Sequence, residues 1–85
     1  MSTSERIIKI LKKLSGKNEI SENDTLVKDL ALDSLEMVML LIDIEEEFLF
    51  ELEESDMNPF KLQKVSDVIT LCDKYIKNNK SFLIQ

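Results

Sequence analysis

The chain has no tryptophan, no histidine, and only one each of glycine (Gly16), proline (Pro59) and cysteine (Cys72). Each scarcity closes off a class of protein. A lone cysteine allows no disulfide framework within the chain. Without histidine, a zinc site of the usual Cys/His kind is excluded along with the commonest general base, and no metal site is expected. So little glycine and proline disfavours a turn-rich β fold, while abundant Leu, Lys, Glu and Met favours helices. No apolar run approaches the ~20 residues of a membrane span, and the first residues mix Arg and Lys with Ile at helical spacing instead of forming a signal-peptide core. The expectation is no membrane insertion and a cytoplasmic location.

What is present fits one small globule. Eighty-five residues, 44% of them hydrophobic, are enough for a single core and too apolar for a disordered acidic tail, so residues 1–85 are read as one domain. The net charge of -6 is unevenly spread. Between Asp33 and Asp56 lie Glu36, Asp43, Glu45, Glu46, Glu47, Glu51, Glu53 and Glu54, without a single Lys or Arg. Such a block repels a phosphate backbone and attracts a basic protein surface, which argues against nucleic acid as a partner.

Ser2 and Glu5 have capping-box spacing, and Ile7, Leu11 and Leu14 recur behind them, which predicts a first helix over residues 4–15 closed by Gly16 with Lys12 and Lys13 in its last turn. A polar loop follows over residues 17–33, pinned by Ile20, Leu26, Val27, Leu30 and Leu32. Loops of that length in a compact domain are usually functional. Residues 34–49 form a second helix, capped by Asp33 or Ser34, with two apolar stripes. Met37, Leu40, Leu41, Ile44 and Phe48 make one stripe and Leu35, Val38 and Ile42 another that starts beside Ser34, so the helix has two apolar faces, wider than a small core needs. Asn58-Pro59 interrupts the next stretch, leaving a short helical turn near residues 57–62. Ser66 is expected to cap a last helix to about Lys77, with Val65, Val68, Ile69, Cys72 and Ile76 inward and Tyr75 peripheral, before a frayed tail at 78–85. The fold class is all-α: a small four-helix bundle, three main helices plus a short third one, with a long loop between helices 1 and 2.

The run Asp29-Leu30-Ala31-Leu32-Asp33-Ser34-Leu35-Glu36, followed by an apolar helix ending Glu45-Glu46-Glu47-Phe48, resembles the acyl carrier protein family, whose motif is Asp-Ser-Leu at the start of an acidic helix ending in Glu-Glu-Phe. The resemblance extends to the first amphipathic helix, the anchored loop and a last helix opening Val65-Ser66-Asp67-Val68. It implies that Ser34 carries a covalent 4′-phosphopantetheine whose thiol holds acyl groups as thioesters for fatty acid, polyketide or related biosynthesis. It also implies that Asp33, Leu35, Glu36, Val38, Ile42, Asp43, Glu45, Glu46 and Glu47 meet partner enzymes, while Met37, Leu40, Ile44 and Phe48 are core. Those partners are a phosphopantetheinyl transferase, acyl transferases or ligases, and condensing and modifying enzymes with basic surfaces. The chain itself is read as a monomer and not an enzyme, since its consecutive exposed carboxylates form no catalytic constellation. Cys72, alone on an inward face, is read as a small buried hydrophobe. Glycine commonly stands in the family where Ala31 and Leu49 stand here, so a slightly different local backbone is expected at both. Two other readings remain: a peptidyl or D-alanyl carrier using the same serine, and a cofactor-free acidic helical adaptor for a basic protein.

Overall fold

A computed structural model describes residues 2–84, with side chains described as far as Lys77. Three helices carry the fold: α1 (Thr3–Ser15), α2 (Ser34–Phe48) and α3 (Val65–Ile84), with single 3₁₀ turns at Glu54–Asp56 and Pro59–Lys61 between α2 and α3. The described residues contain no strand, only an isolated bridge between Thr25 and Lys64. α1 packs on both α2 and α3, and α2 also meets α3 and the second 3₁₀ turn. The all-helical expectation stands, but its short third helix is two separate one-turn pieces, since Asn58-Pro59 denies the segment a continuous run of amide donors.

α1 begins at its predicted capping box, in which Ser2 and Glu5 exchange hydrogen bonds, and ends at Gly16 with φ 76, the left-handed geometry that glycine adopts without strain. The long loop is tied to the start of α3: Leu26 N donates to Gln63 O at 2.9 Å, and Val65 N donates to Asp24 O at 3.0 Å. Leu26, Leu30 and Leu32 are buried and Ile20 is half-buried, whereas Val27, expected as an anchor, is exposed. Residues 26–29 form a helix-like turn, closed by Asp29 N and Leu30 N donating to Thr25 O, that puts Leu26 and Leu30 inward and Val27, Lys28 and Asp29 outward.

Ile7, Leu11, Met37, Leu40, Leu41, Ile44, Val65, Val68 and Cys72 form the centre of the core. Burial, and secondarily Asp73, pushes the Cys72 thiol up to about 12, so it stays protonated at neutral pH. Phe48, expected in the core, is only half-buried: its ring lies between the Arg6 guanidinium, 4.3 Å from the ring centroid, and Phe50, with centroids 6.0 Å apart. Phe50 takes the buried place because Leu49 turns the chain inward after α2.

Tyr75 also departs from its expected peripheral position. It is buried, stacks on Phe50 with centroids 5.0 Å apart, donates its hydroxyl to Asp56, and accepts the Glu53 N–H at 2.8 Å. Nor does Ser66 cap α3, which starts a residue earlier. The N-terminal carboxylate is Asp67, whose Oδ2 accepts the N–H groups of Lys64 (2.9 Å) and Gln63 (3.0 Å). α3 runs past Lys77 to Ile84. The expected frayed tail at 78–85 falls on residues whose side chains, and in Gln85 the whole residue, lie outside the described residues.

The hydrogen bonds of Tyr75 and then Lys74 hold the Asp56 carboxyl below its ordinary value. A depressed folded pKa gives stability that is present above the unfolded value and lost as pH falls through the folded one. Asp56→Asn is therefore expected to flatten the acid-side decline in melting temperature below about pH 5. Thermal melts across that range check this, and an unchanged slope would remove Asp56 from the acid response.

Candidate functional site

The loop delivers Ser34 to the mouth of α2 by a chain of local bonds. Thr25 and Asp29 exchange two of them: Thr25 N donates to Asp29 Oδ2 at 2.8 Å and Asp29 N to Thr25 Oγ1 at 3.0 Å. Leu30 N then returns to Thr25 O at 3.0 Å, and Leu32 N to Leu26 O at 3.0 Å. The Thr25 bonds also depress the Asp29 carboxyl. Between those turns Ala31 adopts φ 56, and at the far end of α2 Leu49 adopts φ 58. The backbone is thus left-handed at the two positions where the family commonly has glycine. Ala31 and Leu49 each carry there a strain of roughly 1 kcal/mol that glycine would not.

Asp33, extended at ψ -179, is the N-cap. Its Oδ1 accepts the Glu36 N–H at 2.8 Å, and Glu36 Oε1 accepts the Asp33 N–H at 3.1 Å, closing a capping box. Ser34, whose side chain is a hydroxyl, is exposed as the first residue inside the helix, in the turn whose opening N–H groups lack intrahelical partners. Those orphan donors and the positive end of the helix dipole favour an anion bonded to that hydroxyl.

Past Ser34, the two stripes of α2 divide as the family resemblance implies, Phe48 apart. Met37, Leu40, Leu41 and Ile44 are buried, while Leu35 (67% exposed), Val38 (45%) and Ile42 (46%) face outward. Met39 joins the exposed stripe at 41%, as does Leu49 just beyond the helix. Glu46 follows Met39 by seven residues and Ile42 by four, so it stands on this stripe, with Glu45 and Glu47 about 100° to either side. The acidic residues are therefore not equivalent. Glu45 Oε2 accepts the Leu52 N–H at 2.8 Å, and Glu47 Oε2 pairs with Arg6 Nε at 2.8 Å. Glu36 is committed to the capping box, Asp43 is half-buried, and Glu46 is exposed. Sequence reading grouped Glu45, Glu46 and Glu47 as one surface. Arg6, 41 positions away from Glu47, carries no local signal of its role.

An open apolar hollow of about 290 Å³ lies between the long loop and residues 60–63, lined by Val27, Phe60 and Leu62 among others, with Met37 the one α2 residue in its wall. No cluster of three or more potential metal-ligating side chains occurs among the described residues.

A small acidic helical domain that presents a serine hydroxyl at a helix mouth has the architecture of a prosthetic-group carrier. The family model described as the phosphopantetheine attachment site matches residues 5–72. An acyl carrier protein of Nitratidesulfovibrio vulgaris is 37% identical over 82 residues, covering 94% of this chain and all of that protein. One from Chlamydia felis is 41% identical over 63 residues, 74% of this chain and 73% of the relative. Among solved structures, a candidate acyl carrier protein from Mycobacterium tuberculosis superposes with a TM-score of 0.78 at 27% identity, covering 87% of this chain and 99% of its own. The chain belongs to the acyl carrier protein family, and its cofactor is phosphopantetheine.

Proposed function

We propose that this chain carries acyl groups as thioesters on a 4′-phosphopantetheine arm attached to Ser34, as a substrate for the enzymes of fatty acid, polyketide or related biosynthesis and not as a catalyst. One observation carries the reading: at the family's Asp-Ser-Leu position, Ser34 is exposed at the first turn of α2, its neighbour Asp33 already committed as the cap. In loading, the Ser34 Oγ forms a bond to the phosphorus of the arm of coenzyme A and loses its proton, while the nucleotide half leaves from that phosphorus. The N–H groups of Ser34 and Leu35 at the helix mouth would favour the negative charge of the product phosphodiester.

An apolar cargo is favoured over an aminoacyl one by the hollow, since Met37 in its wall stands one turn after Ser34. The partner side is a basic protein surface that meets the stripe Leu35, Val38, Met39 and Ile42, with Glu46 on it and Asp43 at its edge. The reading takes the chain to work as a monomer in the cytoplasm.

Loading of the purified chain by a phosphopantetheinyl transferase and coenzyme A, followed by intact mass, tests this. One adduct per chain is expected on the Ser34 peptide. Asp43→Lys with Glu46→Lys should raise KM about tenfold without loss of helicity, and added salt should raise KM for the parent chain. No adduct, or an adduct on another peptide, would overturn the reading. Glu45 and Glu47 are poor choices for such reversals, because they hold Leu52 and Arg6.

A further inference from the structure

Glu47 does not face solvent unaccompanied. Arg6, on the second turn of α1, reaches across with Nε 2.8 Å from Glu47 Oε2 and Nη2 2.7 Å from the Glu47 carbonyl oxygen. The same guanidinium lies over the Phe48 ring at 4.3 Å, so three contacts fix it. Its side chain is 35% exposed and that of Glu47 41%, which leaves the pair within reach of an approaching protein. Asp43 and Glu47 are i,i+4 neighbours on the α1 edge of α2, so a partner cation that reaches Asp43 borders the Arg6 guanidinium.

We propose that Arg6 is a specificity-determining residue: an internal cation that occupies Glu47, confines the docking charge of α2 to Asp43 and Glu46, and must be displaced by any partner that uses Glu47. The inference rests on the carrier reading above. Arg6 touches neither the arm nor its attachment point, so it acts on recognition and not on the transfer step. A partner cation placed for Glu46 docks clear of the guanidinium, one placed for Asp43 comes beside it, and one aimed at Glu47 must displace it.

The test is steady-state loading by a phosphopantetheinyl transferase at several salt concentrations, comparing the parent chain with Arg6→Gln, Arg6→Met, Glu47→Gln and the Arg6→Gln/Glu47→Gln double variant. Arg6→Met keeps an apolar side chain over Phe48 if loss of packing there disturbs the fold. Releasing Glu47 should lower KM about two- to fivefold, the scale of one exposed ion pair, leave kcat unchanged, and steepen the salt dependence. Glu47→Gln alone should raise KM, because it leaves the Arg6 cation beside Asp43 without its counter-charge, and the double variant should return to the parent value. A KM that is unchanged or raised in both Arg6 variants, with melting temperatures retained, overturns the proposal, as does a double variant whose KM stays as low as that of Arg6→Gln. Failure of the parent chain to load at all would instead count against the carrier reading.

Discussion

Ile44→Ala is expected to lower the unfolding free energy by about 2 to 5 kcal/mol, while Val38→Ala and Ile42→Ala should each stay within about 1 kcal/mol of the parent. All three are apolar residues of one helix, so neither propensity nor composition separates them. Burial does. Ile44 is fully buried, and its truncation leaves a cavity that a small core cannot readily collapse around. Val38 and Ile42 are nearly half exposed and already give much of their surface to water. Phe48→Ala should fall between these limits, because the half-buried ring loses its contacts with Arg6 and Phe50 without opening the centre of the core. A domain of this size has little stability to spare, so Ile44→Ala alone should unfold a substantial fraction of the chain near body temperature. The outward pair should instead lose loading rate while keeping the parent melt. Equal destabilisation by Val38→Ala, Ile42→Ala and Ile44→Ala would make the outward stripe part of the core and remove the docking surface.

Ser34→Ala should abolish loading and leave the fold nearly untouched. The N-cap is Asp33, whose carboxylate accepts the Glu36 N–H, and Ser34 stands one position inside. Alanine is a good helix former there, and no cap bond is lost, so the melting temperature should barely move. Asp33→Ala is the counterpart: it deletes the cap, costs about 1 kcal/mol, and loosens the helix mouth while leaving the nucleophile in place. Retained loading in Ser34→Ala would put the attachment site elsewhere, and a large loss of stability would give Ser34 a structural role that the geometry does not supply.

Much of this was legible in the chain because it depends on local chemistry. The Ser2/Glu5 box, the Gly16 terminator, the start of α2 at Ser34 and its two apolar stripes follow from spacing and capping, and the family resemblance tells which stripe is buried. What escaped depends on contacts between distant segments. Tyr75 looks peripheral on its own helix, and only the arrival of Asp56 and the Glu53 N–H gives its hydroxyl partners and allows the ring to be buried. Likewise Glu45 and Glu47 read as free charges until Leu52 and Arg6 are brought to them. Ala31 and Leu49 mark a different limit. Their side chains suggest ordinary backbone, yet the turns on either side of α2 demand positive φ at both, and tertiary packing prevails over local preference.

The most direct test of the central claim is the intact mass of the protein isolated from its native cells, with peptide mapping of any adduct. The account predicts a single phosphopantetheinyl group, bare or acylated, on the peptide that contains Ser34. A chain of unmodified mass in cells with an active transferase, or an adduct on a peptide lacking Ser34, would contradict it.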